Sequence, residues 1–261
     1  MNRLCVLLLL CCGVVSQGPA TSETVEPPLL HLRVPGPIVR SKIPLTRALS
    51  EVATRLEGGY VLFGVQVRLT DGNEPSVNLD VPAETTLGAV LQDVLRQLPG
   101  YRLELVSQHL ANIYPAGAKN DPNDALNLRI DRFDVSDRPP DVIMNLPAMF
   151  MPALAERLAQ RKSGPPLPVE PPTEWLEGVG PKVTLHLHDL TVREILNRVS
   201  EASEELPAKY LPVGWVASLS PDPALATGWA YSFRLFTTVP SEWKPQKPEA
   251  ESRTTDSAPA R

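Results

Sequence analysis

The sequence predicts an α+β protein made of repeated βαβ units, in which small sheets pack against helices. Two segments carry this prediction, VNLDVPAETTLGAVLQDVLRQL (77–98) and VTLHLHDLTVREILNRVSEAS (183–203). Both change from alternating apolar residues to apolar residues at helical spacing. They match when one residue is removed from the connecting turn, and IPLTRALSEVATRL (43–56) is a partial third version.

The apolar positions define each element in order, because residues two apart on a strand share a side and a helix shows a stripe. The first complete unit has a strand face and then a helical stripe: Val77, Leu79 and Val81, then Leu87, Val90, Leu91, Val94 and Leu95. The second unit repeats this order: Val183, Leu185 and Leu187, then Val192, Ile195, Leu196 and Val199. The partial unit has only the stripe: Leu45, Ala48, Leu49, Val52 and Leu56.

Helix starts and following strands complete the unit. Thr86 and Thr191 stand directly before their helices, where a hydroxyl can accept a hydrogen bond from a free backbone N–H. Asp189 is a second candidate cap for the later helix. Strand-like sequence follows each helix, at 60–69, at 101–115, and at 214–219 together with 229–236. The predicted unit is therefore strand, helix, strand.

The first residues predict export. Arg3 precedes an apolar run at 4–15, and small or polar residues follow, which is the order of a secretory signal peptide. Cleavage is expected after Ser16 or Ala20. A transmembrane anchor is one alternative, but it needs about twenty apolar residues. Lipid attachment at Cys12 is another.

The cysteines and the net charge exclude several classes of function. All three cysteines lie within residues 1–20, so the exported chain would contain no disulfide, Cys-ligated metal or cysteine nucleophile. The net charge of −5 and the pI near 5.5 provide no basic surface for nucleic acid. We therefore expect a periplasmic or extracellular protein that associates with a membrane only if Cys12 is lipidated.

Composition divides the chain into segments. Proline supplies 29 of the 261 residues, about twice the usual share, and its clusters fall between the periodic patterns. The predicted segments are a signal peptide at 1–20, an extended lead-in at 21–40, a βαβ-repeat domain at 41–115, a connecting strand and helix region at 116–162, a proline-rich linker at 163–181, a second α+β unit at 182–240 and a disordered tail at 241–261. Within the connecting region, residues 128–133 indicate a strand and residues 150–161 a short helix.

The stretch from IPLTRALSEVATRL through GVQVRL to VNLDVPAETTLGAVLQDVLRQLPGYRLELVSQHLANIYP resembles the short N-terminal domain shared by secretins and TonB-dependent transducers. That family has an IP-x-x-x-AL helix, a strand, a second strand with a T-x-x-x-x-L-x-x-L helix, and a closing hairpin that ends near a proline. The resemblance covers residues 41–115, and 182–203 resembles a further half copy. Nothing after Pro115 resembles a secretin ring or an outer-membrane barrel.

The resemblance implies a docking or signalling module that contacts an envelope protein, such as an outer-membrane or secretion component. It carries over no catalytic residue. The chain also has no G-x-S-x-G nucleophile elbow. We therefore predict a non-catalytic protein-interaction module of the bacterial envelope, without a cofactor, that acts through a sheet edge or an apolar groove.

His186 and His188 carry the alternative hypothesis, a small metal-binding protein or metal-dependent hydrolase. Because they are two apart on a strand, both could reach one ion. Zinc usually needs three or four protein ligands, and the other candidates stand at no informative spacing: His31, His109, Asp189 and Glu194. The simpler interpretation is that both histidines occupy the solvent face of a half-buried strand, at outward positions matched by Asn78 and Asp80.

An aromatic stripe closes the second unit. Trp229, Tyr231 and Phe233 alternate along WAYSFRLF and should share one strand face. The stripe is either core packing or a recognition surface for peptide or carbohydrate.

Overall fold

The computed structural model describes residues 28–165, 180–207 and 210–237. The predicted signal peptide with Cys12, most of the proline-rich linker and the predicted tail lie outside the described residues. The described part confirms the α+β class, because small sheets pack with helices around a central sheet.

Five strands form the central sheet. In chain order they are β3 (Leu62–Arg68), β6 (Tyr101–Leu105), β7 (Leu110–Pro115), β10 (Val213–Pro221) and β11 (Trp229–Thr237). Their spatial order is β6–β7–β3–β10–β11. β3 is parallel to both β7 and β10, and each outer strand is antiparallel to its neighbour. The middle strand β3 is buried on both faces, as its apolar run VLFGVQV (61–67) requires.

Within the described residues, three two-stranded pairs and six helices surround this sheet. The pairs are β1 (Arg33–Val34) with β5 (Thr85–Thr86), β2 (Ile38–Pro44) with β4 (Ser76–Val81), and β8 (Arg129–Arg138) with β9 (Val183–Thr191). The helices are α1 (Leu45–Ala53), α2 (Leu87–Gln97), α3 (Pro140–Asn145), α4 (Pro147–Phe150), α5 (Pro152–Ala159) and α6 (Val192–Glu204). Short 3₁₀ turns lie at Pro28–His31, Ala118–Asn120 and Ala125–Asn127.

The central sheet separates two hydrophobic cores. On its first side, Phe63, Val65 and Val67 pack with α1 and α2, and the β2–β4 pair covers these helices. On its second side, Trp215 and Leu219 pack with α6, which lies between the sheet and the β8–β9 pair. Each face of the sheet is therefore covered by helices, and each helical layer is backed by a strand pair.

The strand pairs show that the internal repeat extends to backbone detail. In the β2–β4 pair, Lys42 has a positive φ of 52° and its amide donates to Oδ1 of Asn78 at 2.9 Å. In the β8–β9 pair, Asp137 has a φ of 55° and its amide donates to Oγ1 of Thr184 at 3.1 Å. Both residues lie at the register shift of a bulge.

The bulges show which residues of the two units are equivalent, and this alignment corrects one prediction. Ile43 pairs with Val77, and Arg138 pairs with Val183, so Val77 and Val183 are equivalent. Thr184 and His186 therefore correspond to Asn78 and Asp80. The prediction that these two positions match His186 and His188 was wrong by two residues, because it relied on outward orientation without a register.

The predicted helix caps are present, and Asp189 is not one of them. Thr86 Oγ1 accepts from the amide of Ala89 at 3.3 Å. Thr191 forms a full capping box, in which its Oγ1 accepts from the Glu194 amide and its own amide donates to Glu194 Oε2 at 2.7 Å. Asp189 has a φ of 56° two residues before the cap and pairs with Arg129.

The region between the two units contributes to the second core. The strand predicted at 128–133 overlaps the first half of β8, and the helix predicted at 150–161 corresponds to the shorter α5. Buried side chains of β8 and α3–α5 pack in the same cluster as α6. Since β10 pairs with β3, the two predicted units also share the central sheet.

Candidate functional site

The free edge of β11 is the first candidate surface. The Leu219 carbonyl accepts from the Leu69 amide at 2.8 Å, so odd-numbered residues of β10 bond towards β3 and even-numbered residues towards β11. The register pairs Trp215 with Leu235. The odd-numbered residues of β11 therefore direct their amides away from the sheet.

Side chains satisfy the outward amides at the two ends of β11. Thr227 Oγ1 accepts from the Trp229 amide at 3.2 Å, and Asn145 Oδ1 accepts from the Leu235 amide at 2.9 Å. Between them, the amides of Tyr231 and Phe233 find no acceptor within residues 28–165, 180–207 and 210–237. The open edge is therefore a short stretch centred on these two residues.

The predicted aromatic stripe borders this open edge. Trp229, Tyr231 and Phe233 are half-buried and pack against the second core. The rings of Tyr231 and Phe233 stack with centroids 6.1 Å apart, and the Arg68 guanidinium lies 5.1 Å from the Trp229 ring. The residues share one face, as predicted, and each has an apolar part in the core and a part at the surface.

Tyr231 is fixed by its hydroxyl group. It donates to Oδ1 of Asp124 at 3.0 Å and accepts from the amide of Ala125 at 2.9 Å. Burial, with the nearby negative charge of Asp124, raises the pKa of Tyr231 well above its usual range. The ring is therefore held in one position as a neutral phenol.

His186 and His188, the predicted metal candidates, lie on the exposed side of β9. His186 Nδ1 is 2.9 Å from Oδ1 of Asp134, and His188 pairs across the strands with Arg132. The hydrogen bond from His186, together with Arg132, lowers the pKa of Asp134. No group of three or more His, Cys, Asp or Glu residues that could hold a metal occurs in the part of the chain described.

A buried polar cluster on the second side of the sheet is the second candidate site, and sequence reasoning missed it. Arg193, only 3% exposed, donates through Nη2 to Oε1 of Gln66 at 2.8 Å. Gln66 donates to Oδ2 of Asp124 at 2.5 Å, and Arg193 Nη2 lies 3.8 Å from the same oxygen. Burial lowers the pKa of Arg193 and the Asp124 charge opposes this.

Arg193 lines a cleft of about 560 Å³ at the junction of the two units. The cleft lies between the end of β6, the turns at 119–127 and the first turns of α6. Its charged side chains are three cations and three anions: Lys119, Arg193, Arg198, Glu104, Glu194 and Glu201. Its lining is therefore strongly polar but balanced in charge.

The signals for this cluster were weak in the sequence. Gln66 interrupts an apolar strand, and Arg193 directly follows Val192, the first residue of the helical stripe. Each residue, taken alone, is typical of a surface position. Their contact joins residues 127 positions apart in the chain, which no local pattern predicts.

Comparison with protein-family models, with curated proteins and with solved structures found no match to this chain. Among the described residues, no helix is long and apolar enough to cross a membrane.

Proposed function

We propose that the protein is an exported, non-catalytic protein-interaction module of the bacterial envelope that binds an extended segment of an envelope protein along β11. The observation that carries this proposal is the open edge at Tyr231 and Phe233. The resemblance of residues 41–115 to the short N-terminal domain of secretins and TonB-dependent transducers supports the same class of function.

The geometry supports strand addition. An exposed strand edge presents free N–H and C=O groups that pair with another extended chain, and main-chain hydrogen bonds provide the affinity in this mode of recognition. The half-buried rings of Tyr231 and Phe233 supply apolar surface beside the edge. Because Asp124 and Ala125 fix the Tyr231 hydroxyl, the edge is ordered before a partner arrives, which lowers the entropy cost of binding.

A pair of variants at Phe233 separates backbone pairing from side-chain contact. Phe233→Pro removes the outward N–H without removing a ladder bond to β10, as proline allows on an edge strand. Phe233→Ala keeps the N–H and removes the ring. If the partner adds a strand, the proline variant should lose binding at least as strongly as the alanine variant.

The experiment is in-cell photo-crosslinking with the crosslinker at exposed Ser232 in β11 and, as a matched control, at Val39 in β2, which is 65% exposed. We expect one envelope protein to be captured from position 232, not from 39, and the capture to disappear in Phe233→Pro. Absence of any envelope protein at position 232, or capture unchanged by the proline, would contradict the proposal.

A further inference from the structure

The buried guanidinium of Arg193 is not required by the repeated fold. Counted from the first residues of α2 and α6, Gly88 is its equivalent in the first unit, where it faces Leu30 of the N-terminal turn. Both helices bury the same apolar positions on either side of this residue. A glycine and an arginine at equivalent positions indicate that Arg193 has a role beyond the helical stripe.

Within the part of the chain that the structure describes, Arg193 lacks acceptors for two of its nitrogens, although its guanidinium also lies 5.1 Å from the centre of the Tyr114 ring. Its Nε and Nη1 have no hydrogen-bond acceptor among the described residues. A buried donor without a partner costs about 1–3 kcal/mol, and more when it is charged. Such groups are uncommon in native proteins and mark a site whose partner is missing.

Asp124 cannot supply the missing acceptor. Its Oδ1 accepts from the Leu126 amide and from the Tyr231 hydroxyl, both at 3.0 Å. Its Oδ2 accepts from Gln66 at 2.5 Å and remains 3.8 Å from Arg193. Both carboxylate oxygens of Asp124 therefore already accept hydrogen bonds, whereas the nearby guanidinium of Arg193 has too few acceptors.

The other carboxylates of the cleft are also engaged. Glu194 closes the capping box with Thr191, and Glu201 accepts from Arg198 at 2.8 Å. Glu104 pairs with Lys119 through Oε1, but its Oε2 is buried and has no donor. The cleft is thus lined by a guanidinium with two nitrogens that lack an acceptor and by a carboxylate oxygen that lacks a donor, among the described residues.

These two groups define the chemistry of a ligand. A carboxylate is the natural partner of a buried guanidinium, and an ammonium group is the natural donor to a free carboxylate oxygen. The balanced charge of the lining favours a ligand without net charge over a polyanion. The volume of about 560 Å³ falls within the usual range of small-molecule sites.

We propose that this cleft binds a small zwitterionic ligand of the amino-acid class, with its carboxylate at Arg193 and its ammonium group at Glu104. The site lies on α6 and β6, and it does not rest on the proposed partner surface at Phe233, although Gln66 and Asp124 connect Arg193 to Tyr231.

The first test is isothermal titration of the mature full-length chain with each of the common amino acids, with acetate and methylammonium as half-ligands. We expect at least one amino acid to bind with a Kd below about 1 mM, and each half-ligand to bind at least tenfold more weakly. No binding by any amino acid would mean that solvent alone satisfies these groups, and the proposal would fail.

Variants assign the two ends of the ligand. Glu104→Gln and Arg193→Met should each weaken amino-acid binding at least tenfold, and Glu104→Gln should leave acetate binding unchanged. Glu51→Gln, in the first unit, is the matched control, and Phe233→Pro should bind the ligand normally. Unchanged affinity in both cleft variants would overturn the assignment.

A spectroscopic readout covers the case in which Arg193→Met does not fold. In the wild-type protein, the ¹⁵N signal of the Arg193 side-chain Nε–H should shift on addition of the amino acid that binds. It should not shift with methylammonium. A binding amino acid that leaves this signal unmoved would place the ligand elsewhere.

Discussion

The two units bury the same helical stripe but differ in what surrounds it. In α2 the buried residues are all apolar: Leu87, Val90, Leu91 and Val94. In α6 the equivalent positions are again buried and apolar: Val192, Ile195, Leu196 and Val199. However, α6 also buries four polar residues, Arg193, Asn197, Ser200 and Ser203.

The difference continues onto the central sheet. β3 and β7 present apolar residues to the first core and Gln66 and Asn112 to the second side. Trp215 from β10 donates through Nε1 to Oδ1 of Asn197 at 2.9 Å. Gly64 leaves room for this ring, because a Cβ there would lie 2.5 Å from it. The first core is therefore apolar, and the buried polar residues concentrate on the second side of the central sheet.

Removal of the buried anion should be the largest single perturbation. Asp124→Leu leaves Arg193 buried without its compensating charge, which should lower the free energy of unfolding by about 3–5 kcal/mol. Urea unfolding of wild type and variant gives this difference.

The double variant Asp124→Leu/Arg193→Met is the control for this prediction. It removes both charges and should recover part of the lost stability, because no isolated ion remains buried, whereas Leu126, Tyr231 and Gln66 still lack the acceptor that Asp124 supplied. If Asp124→Leu alone lowers the free energy of unfolding by less than about 1 kcal/mol, Asp124 and Arg193 behave as a solvated pair of charges and not as a buried one.

The helix caps provide the next comparison. Thr191→Ala removes one half of a capping box and should cost about 1–2 kcal/mol, whereas Thr86→Ala removes a single long hydrogen bond and should cost about half as much. Urea unfolding of the two variants shows which helix cap contributes more to the free energy of unfolding. Equal costs would show that the hydrogen bond from the Thr191 hydroxyl to Glu194 Oε2 adds nothing to the second cap.

Local features of the fold could be predicted from the sequence, and long-range ones could not. The strands, the stripes of α2 and α6, and the caps at Thr86 and Thr191 depend on residues within a few positions of each other. The pairing of β3 with β10 depends on strand order, which periodicity does not encode. The run VLFGVQV was nevertheless a signal for a strand buried on both faces.

The candidate site was harder to predict for the same reason. Arg193 is a charged residue at the edge of an amphipathic helix, which ordinarily faces solvent. Its burial depends on Gln66 and Asp124, which come from distant parts of the chain. The histidines were predictable as a candidate pair because their spacing is local. The described structure joins His186 to Asp134, which also pairs with Arg132, and to no larger ligand group.

The capping box should make stability depend on pH in the second unit. The hydrogen bond from the Thr191 backbone lowers the pKa of Glu194 below its usual value of 4.5. A lowered pKa in the folded state means that this contribution is fully present above about pH 4.5 and is lost as pH falls through the folded value.

Glu194→Gln tests this dependence. The variant should be less stable than wild type at pH 7 by about 0.3–1 kcal/mol, the usual range for a charge at a helix N-terminus. The difference should shrink towards zero when unfolding is measured between pH 5 and pH 2. A constant difference across that range would assign the loss to a cause other than the carboxylate charge.

The smallest effect should come from adding to α2 the capping-box glutamate that α6 has and α2 lacks. Ala89 is exposed and occupies the third position of α2, the place that Glu194 holds in α6. Ala89→Glu should create a capping box with Thr86 and raise the free energy of unfolding by about 0.5 kcal/mol. Ala89→Gln is the uncharged control. The stability that Ala89→Glu gains beyond Ala89→Gln should disappear below about pH 4. If the glutamate gives no gain at pH 7, the two helix starts differ in backbone geometry as well as in sequence, and the repeat is less exact than its bulges indicate.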